Sequence, residues 1–255
     1  MSEVTRQAWA RELMGMPVSI HLRGTAEPTT REEAAEAVFA ELAEVDRVFS
    51  TYRGDSDLSR LAAGVLGLDD CAPELAEVLD LCTRASEATS GYFTPWLPGP
   101  DGVTRLDPSG LVKGWAVERA ARHLAAVPGD DYYLSAGGDI ALLVRPGRPP
   151  WRVAVEDPTC LAQHVAVLEL ASGGVATSGT THRGAHIVDP VQGRVATELA
   201  SVTVAGPSLM WADVFATAAC ARGRDALDWL PWPPGYQVLA VTAAGEQLQR
   251  PVPLI

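Results

Sequence analysis

The stretch that decides the fold class is residues 175–217, VATSGTTHRGAHIVDPVQGRVATELASVTVAGPSLMWADVFAT. Within it, a β-prone run at residues 201–205 is followed by a proline and then by an apolar helical pattern from about residue 209 to residue 222. Elsewhere strands and helices are also mixed, without the regular strand–helix alternation that builds a parallel sheet. We therefore predict an α+β fold in which helices flank a mostly antiparallel sheet.

The remaining elements are predicted from the same periodicities. Helices are expected at residues 30–49, 56–61, 73–91 and 113–124, and strands at 16–22, 132–135, 140–144, 151–155, 165–170 and 237–242. The strands at 151–155 and 165–170 are expected to pair, residues 145–150 to form a hairpin tip, and residues 92–105 to form a loop. No repeat or linker divides the sequence, so one domain is predicted over residues 1–255.

The composition limits the classes of partner. The 255 residues are 47% hydrophobic and 20% charged, and the net charge is -12. An acidic chain without a basic stripe is a poor binder of nucleic acid or of anionic membrane. No apolar run approaches the roughly 18 residues that span a membrane. The N-terminus lacks a signal-peptide pattern, so we expect a cytoplasmic location.

The cysteines carry no recognisable chemistry. Their spacing matches neither a common zinc pattern nor a C-x-x-C pair. We therefore predict that all four are buried small hydrophobic residues, since free cysteine is among the most buried residue types. They are Cys71, Cys82, Cys160 and Cys220.

Two oxygen-bearing side chains share one helix face in the segment WADVFAT. Asp213 and Thr217 are four residues apart, so their side chains point in the same direction from a helix. A carboxylate and a hydroxyl are hard oxygen ligands, which suit Mg²⁺ together with phosphate oxygens and water. The alternative is an ordinary hydrogen-bonded helix turn. The first interpretation suggests phosphate chemistry.

Two glycine-containing segments resemble sites where backbone approaches a ligand. In residues 107–115, Lys113 lies between glycines at a predicted helix start, which favours anions, although a solvated lysine after a turn gives the same pattern. The spacing of a Walker loop is absent. Gly137, Gly138 and Asp139 follow an apolar strand and form either a ligand-binding turn or an ordinary hairpin turn.

A small-residue hydroxyl loop and a His–Asp pair complete the candidate set. Thr177, Ser178 and Gly179 are predicted to form a loop, which is weak evidence of function by itself. His186 precedes Ile-Val-Asp-Pro, and Asp189 within this motif would orient an imidazole that acts as an acid or a base. A structural histidine is the alternative.

The order of these motifs resembles that of the ApbE family, the FAD:protein FMN transferases. The matching segments run from one end of the chain to the other: Met14-Gly15-Met16, residues 46–61, 90–94, 106–118 and 135–140, Thr177-Ser178-Gly179, residues 186–193, and Ala212 to Thr217. The resemblance covers nearly the whole chain in the family's order, which makes it specific.

The resemblance implies a Mg²⁺-dependent enzyme that cuts FAD at its pyrophosphate. Such an enzyme transfers FMN to a Thr or Ser hydroxyl of an acceptor flavoprotein and releases AMP. The cation, for which Mn²⁺ is a substitute, would be held by Asp213, Thr217 and a backbone carbonyl, here that of Gly110. His186 would activate the acceptor hydroxyl, with Asp189 in the same motif. The FAD-binding residues would be Met14, Lys113, Gly137, Gly138, Asp139, Thr177, Ser178 and Gly179.

The chain departs from the family pattern at several positions. Ser90 and Thr94 replace acids, Ser135 replaces an asparagine, and residues 94–106 form a shorter segment than in typical members. Val112 replaces an alanine and Glu118 an aspartate. None of these changes touches Asp213, Thr217 or His186. Two alternatives stay open. One is an FAD pyrophosphatase, because the same site can serve water as the nucleophile. The other is a non-catalytic FAD-binding protein, in which the shortened segment at residues 94–106 has abolished turnover.

Overall fold

Eight strands form one antiparallel sheet. In the computed structural model, the described residues are 4–98, 102–180, 184, 187–229 and 231–250. The strands are β1 (Thr5–Leu13), β2 (Met16–Gly24), β3 (Trp96–Pro98), β4 (Thr104–Leu106), β5 (Asp130–Ala136), β6 (Asp139–Leu143), β7 (Trp151–Glu156), β8 (His164–Leu170), β9 (Ser172–Gly179), β10 (Val188–Asp189), β11 (Arg194–Val195), β12 (Leu199–Gly206), β13 (Gln237–Thr242) and β14 (Gln247–Arg250). The order in the large sheet is β1-β2-β5-β6-β9-β12-β13-β14. The predicted α+β class with a mostly antiparallel sheet is confirmed.

Helices cover one face of this sheet. They are α1 (Pro28–Phe49), α2 (Asp57–Ala62), α3 (Pro73–Ala88), α4 (Ser109–Ala125), α5 (Leu209–Arg222) and α6 (Ala226–Trp229), with a short 3-10 helix at Leu68–Asp70. Helix α4 packs between α1 and α5, and α5 lies against β9 and β12. The main core forms there, from side chains such as Val18, Leu134, Ala176 and Val202 on the sheet and Leu111 on α4.

The opposite face of the sheet is covered by a separate hairpin. Strands β7 and β8 pair antiparallel with each other, as predicted, and form their own two-stranded sheet. Val153 of this hairpin packs with Ile140, Leu142, Val175 and Ala205 of the large sheet. Because side chains alternate along a strand, residues 175, 177 and 179 of β9 point toward the hairpin, and residues 176 and 178 point toward the helices.

Three predicted local structures are wrong. Residues 177–179 are not a loop, because they belong to strand β9 and pair with β12. Helix α4 begins at Ser109, so Lys113 lies one turn inside the helix and not at its start. Residues 145–150 are not a hairpin tip, since they connect β6 in the large sheet to β7 in the hairpin.

Two further predictions need correction. Cys82 and Cys220 are buried as predicted, but Cys71 is only partly buried and Cys160 is exposed, because both lie in connections outside the core. The predicted loop at 92–105 contains the short paired strands β3 and β4. Over the described residues, no helix has both the length and the apolar character needed to cross a membrane.

Candidate functional site

A cavity of about 470 Å³ opens where strands β5, β6, β9 and β12 meet helices α4 and α5. One part lies on the helix side of the sheet and is lined by polar groups. The other part lies between the sheet and the β7–β8 hairpin and is largely apolar. Residues of the first part include Gly110, Lys113, Ser178, Asp213 and Thr217, and residues of the second include Tyr133, Ile140, Val153, Val155 and Val175.

The helix-side part brings together oxygen atoms from a helix and a strand. Asp213 and Thr217 lie on α5 and both line the cavity, as the four-residue spacing predicted. Ser178 on β9 faces α5, and its Oγ lies 3.0 Å from Oγ1 of Thr217. The hydroxyl of Thr217 is therefore held in place from the sheet, which the helical pattern by itself did not indicate.

Lys113 lies between two buried carboxylates. Its Nζ is 2.9 Å from Oδ2 of Asp139 and 3.6 Å from Oδ1 of Asp213. Asp139 is fully buried at the start of β6, and its Oδ1 also accepts a hydrogen bond of 3.4 Å from the backbone N–H of Thr177. Lys113 is the only lysine in the sequence. The two carboxylates and one ammonium leave an excess of one negative charge when all three groups are ionised.

Asp213 is the carboxyl group that resists ionisation in this cluster. Burial and the neighbouring Asp139 carboxylate raise the pKa of Asp213 to about 8, against the opposing effect of Lys113. No donor among the described residues makes a hydrogen bond to the buried Oδ2 of Asp213. A buried carboxylate oxygen without a partner is unfavourable, and a bound cation would compensate for it.

The donor atoms fit a hard divalent cation. Among the described residues no cluster of three or more His, Cys, Asp or Glu side chains is spaced to hold a metal. The available set is instead a carboxylate from Asp213, a hydroxyl from Thr217 and the backbone of Gly110, which lines the same part of the cavity. Oxygen ligands of this kind suit Mg²⁺, which keeps water or phosphate oxygens in its other positions.

Two residues of α4 position α5, and the sequence did not reveal their roles. A Cβ added at Gly114 would lie 3.0 Å from Cα of Met210 and 3.1 Å from Cβ of Asp213, so glycine permits the close approach of the helices. One turn later, Glu118 accepts hydrogen bonds from the Ser208 hydroxyl at 2.7 Å and the Met210 N–H at 3.0 Å. Glu118 therefore fixes the N-terminus of α5.

The hairpin-side part combines apolar side chains with a few hydroxyls. Thr177 and Thr203 lie opposite each other on β9 and β12, and their hydroxyls are 2.9 Å apart. Ser135 and Ser201 line the same cavity. Flat apolar walls with a few polar groups are typical of sites for aromatic ligands.

The double glycine forms the hairpin turn between β5 and β6. Ala136 pairs with Asp139, so Gly137 and Gly138 are the two turn residues, and both have positive φ. This conformation favours glycine in two-residue hairpins. Both glycines also line the cavity, so the ordinary turn and the cavity wall are the same feature.

The structure brings nine of the thirteen predicted site residues together, and the four exceptions are Asp139, Met14, His186 and Asp189. Asp139 is buried beneath the cavity wall and reaches the site through Lys113. Met14 lies in the turn between β1 and β2 and packs against the hydrophobic core, away from the cavity lining. His186 lies outside the described residues. The residues that line the cavity are Gly110, Lys113, Gly137, Gly138, Thr177, Ser178, Gly179, Asp213 and Thr217.

Asp189 has a clear local role. It is buried on β10, and its Oδ1 accepts hydrogen bonds from the backbone N–H groups of Val191 at 2.8 Å and Gln192 at 3.0 Å. Its neighbours Val188 and Pro190 line the cavity, whereas Asp189 does not. The carboxylate thus shapes the turn beside the cavity, and its catalytic role stays a prediction.

Comparison with known proteins identifies relatives along most of the chain. The model of the ApbE family matches residues 14–101 and 96–240. An FAD:protein FMN transferase from Haemophilus influenzae is 26% identical over 77% of this chain and 74% of its own length. Another from Vibrio cholerae is 35% identical, over 47% of this chain and 39% of its own length.

Solved structures show the same fold. An ApbE protein from Thermotoga maritima superimposes with a TM-score of 0.83, at 21% identity, over 96% of this chain and 97% of its own. A flavinyl transferase ApbE from Pseudomonas stutzeri gives a TM-score of 0.81 at 22% identity, over 98% and 96% of the two chains. The fold, the order of motifs and the family match agree, and the chain belongs to the ApbE family.

Proposed function

We propose that this protein is an FAD:protein FMN transferase, which moves FMN from FAD to a Thr or Ser hydroxyl of an acceptor flavoprotein and releases AMP. Mg²⁺ is the proposed metal. The relatives from Haemophilus influenzae and Vibrio cholerae carry the name FAD:protein FMN transferase. For this chain, the residues of its own cavity support the same activity.

The observation that carries the proposal is the continuity of two chemically different parts in one cavity. The helix-side part offers Oδ2 of Asp213, which accepts no hydrogen bond from the described part of the chain, together with the hydroxyl of Thr217 and the ammonium of Lys113. The hairpin-side part is walled by Tyr133, Ile140 and other apolar residues. FAD has this division, since its flavin ring is flat and largely apolar and its pyrophosphate is anionic.

The residues of the helix-side part would hold the pyrophosphate and its metal. Asp213, Thr217 and the Gly110 carbonyl would ligate Mg²⁺, and Lys113 would contact a phosphate oxygen from the cavity wall. Mg²⁺ held by these residues would neutralise the negative charge that develops on the phosphate oxygens. Lys113 and the glycine turn at Gly137-Gly138 orient the phosphate for in-line attack, because phosphoryl transfer depends mainly on positioning.

The transfer step replaces the phosphoanhydride bond of FAD with a phosphoester bond to the acceptor. The acceptor hydroxyl oxygen attacks the phosphorus of the FMN half, and the bond from that phosphorus to the bridging oxygen breaks. AMP leaves with the bridging oxygen, and the hydroxyl proton passes to a base. We assign this base to His186, and we assign to Asp189 the shaping of the turn after it, because its carboxylate accepts from the amides of residues 191 and 192.

We also propose that residues 1–255 act as one catalytic domain. Strands from the first and last thirds of the described chain lie in the same eight-stranded sheet. The cavity is lined by residues from Tyr92 to Thr217. Neither half of the chain would therefore contain a complete site.

The test is chromatographic separation of the products formed from FAD by the purified protein. Incubations contain Mg²⁺ or EDTA, with no acceptor, with a Thr-containing peptide derived from a flavinylated protein, or with the same peptide carrying Val in place of Thr. The proposal predicts AMP and peptide-bound FMN only with Mg²⁺ and the Thr peptide. Asp213→Ala should abolish both products, while Thr83→Val on helix α3, away from the cavity, should not.

Each other outcome contradicts the proposed transfer in a distinct way. AMP and free FMN formed at the same rate without any acceptor would identify an FAD pyrophosphatase, with water as the nucleophile. Bound FAD with no AMP under any metal condition, even with an acceptor that a known transferase modifies, would identify a non-catalytic FAD-binding protein.

A further inference from the structure

Asp139 has no place in the transfer step, yet among the described residues its carboxylate lies closest to the ammonium of Lys113. Its carboxylate is fully buried. One oxygen accepts from the Thr177 N–H, and the other lies 2.9 Å from Nζ of Lys113. The contact of this second oxygen with Lys113 is an ion pair and not a well-aligned hydrogen bond, since Oδ2 of Asp139, like Oδ2 of Asp213, accepts no hydrogen bond from the described residues.

The position of Asp139 is fixed by the backbone on both sides. It begins β6 directly after the two-glycine turn, where it pairs with Ala136 of β5. The Thr177 amide that it accepts from belongs to β9, the next strand in the sheet. Asp139 has its backbone paired with β5 and its carboxylate bonded to β9, so it is a rigid anchor for the flexible lysine stem that extends from α4.

Without this anchor, Lys113 would compete with a metal ion. Nζ already lies 3.6 Å from Oδ1 of Asp213, just beyond hydrogen-bond distance. A small movement would let the ammonium form a full ion pair with Asp213. That pair would neutralise the carboxylate that the cation needs, in a buried place where charge pairs are strong.

We propose that Asp139 is a positioning residue for Lys113: it holds the ammonium away from Asp213, so that the Asp213 carboxylate stays open to a divalent cation. This inference rests on the proposed metal-dependent function and refines it. It assigns Asp139 a role through Lys113 instead of direct contact with FAD.

The first test is a double-mutant cycle on Mg²⁺ affinity, measured by calorimetry on the full chain without FAD. Asp139→Asn keeps the shape and the acceptor for the Thr177 amide but removes the charge. Lys113→Met keeps the stem but removes the ammonium. Asp139→Asn should weaken Mg²⁺ binding. In that background Lys113→Met should raise the Mg²⁺ affinity, by a factor at least about threefold larger than the factor that Lys113→Met produces in the wild-type background.

The cycle separates this proposal from simple charge counting. If Asp139 only adds negative potential, the effect of removing Lys113 is the same in both backgrounds, and the proposal is overturned. If the wild-type protein binds no Mg²⁺, with or without FAD, the metal site of the proposed function is overturned, and this refinement with it. Mg²⁺ binding with an additive cycle overturns the refinement alone.

A second readout uses the fact that the sequence contains one lysine. Protein labelled with [¹⁵N]lysine has a single Nζ signal, which reports Lys113 directly. In the wild-type protein this signal should change little when Mg²⁺ is added, because the ammonium stays on Asp139. In Asp139→Asn it should shift on Mg²⁺ addition as the ammonium leaves Asp213. A large shift in the wild type contradicts the proposal even if the Asn variant does not fold.

Discussion

Gly114 lies so close to Asp213 that a Cβ added to the glycine would be 3.1 Å from Cβ and 3.3 Å from Oδ2 of the aspartate. The same added Cβ would also lie 3.0 Å from Cα of Met210, so it would meet the backbone of α5 as well as a side chain. Helix α5 cannot yield there without moving Asp213, because Glu118 holds its first turn through Ser208 and Met210. The glycine therefore sets the distance between α5, which carries Asp213, and α4, which carries Lys113.

Gly114→Ala should destabilise the protein, although alanine favours helices. Overpacking at a backbone contact costs about 1–3 kcal/mol, which exceeds the gain of about 1 kcal/mol in helix propensity. Chemical denaturation should show the loss. Gly110→Ala in the same helix is the matched control, because its added Cβ would lie 3.4 Å from the edge of the Phe93 ring, an ordinary contact. Equal stabilisation by both substitutions would contradict the close approach.

The sequence was sufficient to predict that Asp213 and Thr217 lie on the same side of a helix, but not which residues support them. Asp213 and Thr217 share a face because of helical geometry, which can be read from spacing. The contact from Ser178 to Thr217 depends on how β9 lies against α5, and that packing is not encoded in any local pattern. The same holds for Glu118, whose partners are about ninety residues further along the chain.

Residues 177–179 of β9 resemble a loop in sequence for a physical reason. Gly173, Gly174 and Gly179 look like turn residues, but all three permit close packing in a strand. A Cβ at Gly174 would lie 2.5 Å from Cα of Leu209, and one at Gly179 would lie 2.4 Å from the carbonyl oxygen of Ala200. Strand β1 was missed because it lies at the sheet edge, where charged residues such as Arg11 and Glu12 are exposed.

Removing the hydroxyl of Thr217 should weaken Mg²⁺ binding, and removing that of Ser178 should do so indirectly. Thr217→Val deletes a proposed ligand but keeps the shape, so affinity should fall at least about tenfold. Ser178→Ala frees the Thr217 hydroxyl from its 3.0 Å partner, and loss of such an orienting contact typically costs about tenfold in metal affinity. Calorimetric titration with Mg²⁺ measures both effects.

Thr83→Val is the control for these two variants. Thr83 is also a helical threonine, and its hydroxyl donates to the Leu79 carbonyl at 3.1 Å on the exposed side of α3. Its removal should leave Mg²⁺ affinity unchanged. If Thr217→Val binds Mg²⁺ as tightly as Thr83→Val does, Thr217 is not a ligand.

In the metal-free state, Asp213→Asn should be more stable than the wild-type protein, and the difference should grow as the pH rises. Burial and Asp139 raise the pKa of Asp213 to about 8, whereas an unfolded aspartate titrates near pH 4. Between these values the unfolded state ionises while the folded state keeps the proton, so the unfolding free energy falls with increasing pH. Asparagine does not titrate, and its advantage in Tm should be small at pH 5 and at least about 3 °C at pH 8.

Mg²⁺ should reverse the order of stability, so that the wild-type protein melts at a higher temperature than Asp213→Asn. The cation binds the ionised carboxylate and stabilises the wild-type fold by mass action, whereas Asp213→Asn should show no Mg²⁺-dependent change in Tm. Thermal melts at pH 5, 6.5 and 8, with and without Mg²⁺, provide the measurement. A wild-type protein whose Tm exceeds that of the variant at pH 8 without metal would show that Asp213 is compensated in another way.

Two substitutions at Asp189 distinguish a charge relay from a shaped turn. The carboxylate Oδ1 accepts from the amides of Val191 and Gln192, and an asparagine side chain offers an acceptor oxygen in the same place. If the role is to shape the turn, Asp189→Asn should retain most of the FMN transfer rate, while Asp189→Ala should lose it together with about 1–3 kcal/mol of stability.

If the charge orients and supports His186, both variants should lose activity to the same extent, and the pH dependence of transfer should shift in Asp189→Asn. We expect the first pattern, because the amides already occupy the carboxylate oxygen and the side chain does not reach the cavity lining.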